Sequence, residues 1–403
     1  MERSFKGRLR LLRVTTIPLS LDKLLTGQLK FMSDKGFDVT AVSANGSEIE
    51  SIKEREDCEH CIIPMTRTIS PLADVKALWK MVRLIKKEKP VIVHTHTPKA
   101  GLIGMLAAWF CKVPVRLHTV AGLPLMESSG SKRKLLVFIE KCIYACASAV
   151  YPNSFELKDY IEKNKFTSFN KLKVIGKGSS NGIDIDYFKK TGKIITEAEQ
   201  IRAQYRISAN DLVFVFVGRI VKDKGINELV KAFDHLNKKY FNIKLLLIGP
   251  FEDDLDPIDN STRDILTANR SIICTGFIND VRPYLAAADV LAFPSYREGF
   301  PNVPLQAGCF DLPSIVSNIN GCNEIIKNNV NGLIVPPKNL IALEAAMERM
   351  VADEDFRKKC SSVAREMITK NFSREVVWHA LLEEYKRELN QKGIKCAYVS
   401  EVC

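Results

Sequence analysis

Two short stretches hold residue types that could do chemistry together. The first is Ser295-Tyr296-Arg297-Glu298-Gly299-Phe300-Pro301-Asn302-Val303-Pro304-Leu305-Gln306. It follows the apolar run 290–293 and opens a helical pattern at 303–310, so it reads as a strand-to-helix loop. Backbone N–H groups at a helix start attract anions, and Gly299 permits close approach of a ligand. Glu298 just ahead of that turn reads either as a capping carboxylate or as an acceptor for sugar hydroxyls. The second stretch is Gly218-Arg219-Ile220-Val221-Lys222-Asp223-Lys224-Gly225, again between a strand and a helix. Arg219 offers a fork of donors and Lys224 a point charge, the makings of a diphosphate clamp. A solvated basic turn is an equally good reading of this loop taken alone.

Such loops need strands to end at them. In the first half the spacing predicts strands over 9–17, 38–43, 91–94, 113–120 and 148–151. Helices are predicted over 22–35, 71–87, 100–110 and 132–146. The helix 71–87 places Leu72, Val75, Leu78, Trp79, Val82 and Ile85 on one face. The pattern restarts with strands at 212–217, 243–248, 271–275, 290–293, 313–317 and 332–335. Helices follow at 226–236, 340–351, 356–370 and 373–390. Alternating strands and helices mean parallel sheets covered on both faces, here two doubly wound domains joined within 186–204. Ligands of such sheets sit beyond the strand C-termini, which sets the expected site in a cleft between the domains.

With both loops in place the sequence resembles the retaining, nucleotide-sugar-dependent glycosyltransferases of family 4, over nearly its whole length. The resemblance implies the GT-B fold. That is an α/β architecture of two Rossmann-like domains: 1–190 for the acceptor, 191–372 for the nucleotide sugar, and a C-terminal helix in 373–403 crossing back. It implies that Gly218, Arg219 and Lys224 hold the donor diphosphate, helped by the segment Gly299, Phe300, Pro301, Asn302 and Val303, in which every residue but the proline offers a backbone N–H. The family's E-x7-E motif reads Glu298…Gln306 here. Glu298 takes the place of the acid that contacts donor-sugar hydroxyls. Gln306 replaces the second acid, which binds ribose, and an amide can still accept and donate there.

In the other half the resemblance places His118, read as ending its strand, beside the reacting sugar as a catalytic group. His94, His96 and Lys99 follow a second strand and are expected on the acceptor side. The family's Gly-Gly loop is replaced by Pro18-Leu19-Ser20-Leu21-Asp22-Lys23-Leu24-Leu25-Thr26-Gly27-Gln28. The basic turn Lys132-Arg133-Lys134 precedes apolar residues. In this family the first domain commonly meets the membrane, so the turn is expected to contact an anionic leaflet. Cations at a helix start oppose the helix dipole, which favours a purpose other than folding.

The implied reaction moves a hexose or N-acetylhexosamine from a UDP-sugar to a glycan hydroxyl. The acceptor is a lipid-linked oligosaccharide, of the undecaprenyl-diphosphate kind, for capsule, O-antigen or exopolysaccharide. Cationic side chains serve the diphosphate, so no divalent metal and no cofactor is expected. A UDP-N-acetylglucosamine 2-epimerase shares the two-domain plan and is the enzyme alternative. A basic nucleic-acid-binding protein is the non-enzyme alternative. It lacks a recognised motif and interleaved stacking aromatics, so no nucleic-acid partner is expected.

Composition sets the frame. The chain has 403 residues, 46% hydrophobic and 26% charged, too long for one ordinary core and too apolar for disorder. No uncharged apolar run reaches 18 residues, and the basic start lacks a signal peptide's apolar core. The expected location is cytoplasmic, peripheral on the inner face of the plasma membrane, with the eleven cysteines reduced. Cys58-Glu59-His60-Cys61 has half a zinc site's spacing, without a second pair to complete it. Residues 1–190 carry 32 Lys and Arg against 19 Asp and Glu, and residues 191–403 carry 27 against 28. The positive excess lies wholly in the first half. It suits nucleic acid, an anionic membrane, a phosphorylated substrate or a soluble surface.

Overall fold

The structure is a computed structural model and describes residues 3–4, 7–66, 68, 70–254 and 256–395. The chain divides into two compact units. One holds the residues up to Gly182 and those from Glu375 on, the other Ile183–Arg374.

The first unit contains β1 (Arg3–Ser4), β2 (Leu9–Val14), β3 (Phe37–Ser43), β4 (Glu59–Ile62), β5 (Ile92–His96), β6 (Val115–Val120) and β7 (Ala149–Pro152). Strands β2 to β7 form one parallel sheet in the order β4-β3-β2-β5-β6-β7. Its central strands are buried on both sides, as a sheet between helices requires, although β2 carries Arg13 and β5 carries His94, Thr95 and His96. Leu12, Val93 and Val150 pack against the helices Pro71–Glu88, Pro98–Phe110 and Gly130–Cys146. Leu11, Ile92 and Leu117 face the opposite layer, which includes Leu21, Leu29 and the C-terminal helix residues Leu381, Tyr385 and Leu389.

The second unit repeats the plan with β8 (Leu212–Val217), β9 (Ile243–Ile248), β10 (Ile272–Gly276), β11 (Val290–Phe293), β12 (Ser314–Ser317) and β13 (Gly332–Val335). The order is β10-β9-β8-β11-β12-β13, all parallel. The last short strand, β14 (Ile394–Lys395), pairs with β1. Each six-stranded order reverses beside its first strand, between β2 and β5 and between β8 and β11. That reversal opens a crevice at the strand C-termini.

Four expectations change. The helix predicted over 22–35 is two helices, Pro18–Leu24 and Gln28–Asp34. They break at Gly27, whose φ of 80° is a left-handed turn that glycine adopts without strain. Glu56 caps the second helix from a distance: its carboxylate accepts from the N–H groups of Gly27 (2.7 Å), Leu29 (3.2 Å) and Lys30 (3.2 Å). The strand predicted over 9–17 stops at Val14. The join expected within 186–204 contains a helix, Gly192–Gln204, and the units divide at Gly182, ahead of the expected 190/191. Finally, helix Pro71–Glu88 buries Ala77, Met81, Val82 and Ile85. Leu72, Val75 and Trp79, expected on that face, are 84%, 53% and 61% exposed. At 3.6 residues per turn they lie roughly opposite Ala77, Met81 and Ile85, so the helix carries two apolar stripes and the core takes one.

Candidate functional site

In the second unit both charged loops leave the strands that flank the reversal, β8 and β11. Glycines let the loops press together. A Cβ on Gly249, after β9, would lie 1.8 Å from the Gly218 carbonyl oxygen. A Cβ on Gly225 (φ 72°) would lie 2.2 Å from the Pro294 carbonyl oxygen. The Tyr296 N–H donates to the Asp223 carbonyl (2.8 Å), and Arg297 pairs with the Asp223 carboxylate (3.0 Å). The two stretches that sequence separates are therefore one surface.

Two ion pairs lie on it. Lys224 Nζ donates to Glu298 Oε1 at 2.6 Å, with the side chains only 15% and 16% exposed. Arg219 Nη1 donates to Glu252 Oε2 at 2.8 Å. That bond raises the Arg219 pKa above its ordinary value, and the charge of Glu298 adds to the rise. Glu298 thus bears on both predicted clamp residues. Behind it, Asn320 Nδ2 donates to the carbonyls of Glu298 (3.2 Å) and Gly299 (2.5 Å). Gly321, at φ 76°, brings its backbone so close that a Cβ would sit 2.8 Å from the Gly299 oxygen. The helix Asn302–Cys309 then starts after Pro301 with no side-chain cap, which leaves its first N–H groups for an anion. Phe300, Val303 and Gln306 are half-buried along this edge.

Such a surface can hold a compact dianion: two cations, an uncapped helix start, and carboxylates that balance the cations meanwhile. Sequence reading missed Glu252 and Asn320. Glu252 follows Gly249-Pro250 directly after β9, and a carboxylate at a neighbouring strand end is a readable signal. Asn320 has no such mark, because its role is to hold two backbone carbonyls.

The first unit corrects one reading outright. The strand predicted over 113–120 does run to Val120 as β6, so His118 lies inside it and not at its end. Its Nδ1 lies 2.8 Å from Thr95 Oγ1, under the helix Pro98–Phe110. Gly101 makes room for the ring: a Cβ there would fall 2.5 Å from His118 Cε1. Burial pushes the His118 pKa down to about 3, so the ring is neutral. Ala121 and Gly122 stand at the strand's exit instead.

The other first-unit residues are also placed. His94 is buried, with Nδ1 2.7 Å from the Tyr385 hydroxyl and Nε2 2.7 Å from Thr119 Oγ1. His96 is buried with both ring nitrogens unpartnered. Burial first, then the Arg13 charge, lowers both histidines well below their ordinary pKa. Lys99 Nζ donates to Asp74 at 2.6 Å. Lys132 and Lys134 are exposed at the start of helix Gly130–Cys146, while Arg133 donates to the Tyr160 hydroxyl at 3.2 Å. Among the described residues no three His, Cys, Asp or Glu gather as metal ligands, and no helix is long and apolar enough to cross a membrane.

Comparison with known proteins gives consistent results. Residues 197–367 match the family of glycosyl transferases group 1, and residues 27–178 match the glycosyl transferase 4-like domain. The chain is 34% identical over 383 residues to the capsular polysaccharide biosynthesis glycosyltransferase CapM of Staphylococcus aureus, covering 95% of this chain and 98% of that one. It is 27% identical to the UDP-Gal:alpha-D-GlcNAc-diphosphoundecaprenol alpha-1,3-galactosyltransferase of Escherichia coli, covering 92% and 95%. Its fold matches that of Anabaena Alr3699/HepE, solved in complex with UDP, with a TM-score of 0.78 at 18% identity over 94% of this chain and 100% of that one.

Proposed function

We propose, since this chain belongs to the group 1, family 4-like glycosyltransferases, that it moves a hexose or N-acetylhexosamine from a UDP-sugar to an undecaprenyl-diphosphate-linked glycan during surface-polysaccharide assembly. The relatives' names support the acceptor class, and the UDP complex of a protein with the same fold supports the donor.

The observation that carries this reading is the Lys224–Glu298 pair at the crevice between β8 and β11. When a donor enters, Lys224 and Arg219 turn to its diphosphate, and the helix start at Asn302 adds backbone donors. Charge grows on the leaving diphosphate as the glycosidic bond breaks. Having turned on binding, these donors are in place before the bond breaks and stabilise it without further reorganisation. Glu298, released from Lys224, is free to accept from sugar hydroxyls, and Gln306 from the ribose. The sugar centre becomes oxocarbenium-like, as in glycosyl transfer generally. No divalent cation takes part, since the two cationic side chains meet the diphosphate charge. The first unit receives the acceptor and rests on an anionic leaflet.

A thermal-shift screen of nucleotide sugars tests the donor reading, followed by product analysis with and without a lipid-linked acceptor. A UDP-sugar should raise the melting temperature, and product should form only with acceptor. Conversion of the sugar without acceptor would make the protein an epimerase. Stabilisation by oligonucleotide but by no nucleotide sugar would overturn the transferase reading.

A further inference from the structure

The first unit buries a full positive charge with no carboxylate beside it. Arg13, in β2, is 2% exposed. Its Nη1 donates to the Tyr385 hydroxyl (3.1 Å), its Nη2 to Gln28 Oε1 (2.7 Å), and its Nε to nothing. A guanidinium removed from water is costly unless an anion answers it. Burial keeps the Tyr385 phenol protonated, so that partner brings no charge. The buried carboxylates of this unit are committed elsewhere. Glu56 is held by Arg55 and the helix N–H groups it caps. Glu384 and Glu388, which bear on Tyr151 from the C-terminal helix, are held by Lys173 and Arg387. Glu140 belongs to a helix on the other face of the sheet.

A cavity of about 20 Å³ lies against Arg13, walled also by Thr119, Tyr151 and Asn153. That is room for one water-sized occupant. The hydrogen-bond directions around it can be followed. The Tyr385 oxygen accepts from Arg13, so its own proton goes to His94 Nδ1. A neutral His94 then donates from Nε2 to Thr119 Oγ1. Thr119 keeps its hydroxyl proton to give. Arg13 Nε also has no partner, and the Tyr151 hydroxyl, which accepts from Arg387 and is held protonated by burial, still has its proton to give. Three donors and a fixed cation meet one unpartnered acceptor, Asn153 Oδ1. Water, with as many acceptor sites as protons, balances that set poorly.

We propose that this cavity binds one halide-sized monovalent anion, chloride in the cell, which neutralises Arg13 and fastens the C-terminal helix through Tyr385 to the sheet of the first unit. Tetrahedral oxyanions are too large for it. The site is separate from the donor reading and does not depend on it.

The test melts the full-length protein at constant ionic strength while gluconate is exchanged for chloride or bromide in the millimolar range. A saturable rise of about 2–4 °C is expected with either halide, and none with sulfate. Crystals grown in bromide should show an anomalous peak between Arg13 Nε and the Tyr151 hydroxyl. Tyr151→Phe, which leaves the Arg13 hydrogen bonds intact, should shift the half-saturating halide concentration upward about tenfold. Arg13→Gln should abolish the response, and if it does not fold, the bromide peak and Tyr151→Phe decide. Equal melting in gluconate and halide, together with no anomalous peak, would mean the cavity holds water and the proposal is wrong. A halide response unchanged in Tyr151→Phe would equally overturn it.

Discussion

Lys224 and Glu298 are 74 residues apart in the chain and 2.6 Å apart in space. Each was legible alone, because glycine and charge at a strand's end mark a ligand loop. Their pairing was not, because it depends on Gly225 packing under Pro294, a contact no local pattern announces. His118 shows the converse. The family resemblance sets His118 at its strand's end beside the reacting sugar, yet β6 runs on to Val120. The histidine's true surroundings are set by Gly101, on a different helix. Arg219→Ala and Lys224→Ala should each lower kcat by about 10²–10³, or about 2.7–4 kcal/mol, the scale of losing one fixed transition-state donor. Steady-state assays on variants that melt like the parent check this, and near-parental turnover in both would remove them from the clamp. If side chains meet the diphosphate charge, as proposed, activity should persist in excess EDTA. Loss of turnover that Mg²⁺ or Mn²⁺ restores would show a metal-held donor.

Elements were more legible than contacts, for a reason visible in the second unit. Its strands 212–217, 243–248, 290–293 and 332–335 are short apolar runs bounded by glycine, proline or polar residues, and the structure has them at those limits. Central parallel strands leave no other pattern. Helices failed where a distant residue intervened, as Glu56 does at Gly27. The helix Gly130–Cys146 supplies a test at this scale. Glu140 is buried within it, and burial pushes its pKa up to about 7, against a lowering bond from Tyr144. Between about pH 4.5 and 7 the unfolded chain has released a proton that the folded chain keeps. The unfolded state binds fewer protons, so stability falls as pH rises through that window. The total loss is of order 3 kcal/mol. Glu140→Gln should melt like the parent near pH 4.5 and progressively above it toward pH 8. Parallel melting curves across that range would show that Glu140 ionises in the folded protein at its ordinary pH.

At the scale of the whole molecule, the unit with the excess positive charge also carries exposed apolar side chains close to lysines. Residues 1–190 hold all the positive excess. Leu72, Val75 and Trp79 stand exposed on helix Pro71–Glu88, and Leu135 and Phe138 on helix Gly130–Cys146. Helix Pro98–Phe110 belongs to the same layer, tied to the first of these by Lys99 and Asp74. Exposed Lys76, Lys80, Lys132 and Lys134 accompany the apolar residues. Apolar side chains with lysines beside them suit the boundary of an anionic leaflet, where each cation contributes about 1 kcal/mol. Surface attraction is screened over a Debye length of about 8 Å at physiological salt, whereas inserted apolar area is not. The two contributions can therefore be separated. Purified protein should sediment with anionic liposomes at low salt and be partly released as salt rises. Replacing Lys132, Arg133 and Lys134 together with Gln should weaken binding chiefly at low salt. Leu72→Ser with Trp79→Ser should remove the salt-resistant remainder. UDP-sugar binding should survive both sets, since the loops proposed to hold the donor lie in the other unit. If the charge variant binds like the parent, the basic turn is not the contact. If the parent ignores anionic liposomes at every salt concentration, the membrane reading fails, and the basic surface answers to the acceptor's own diphosphate instead.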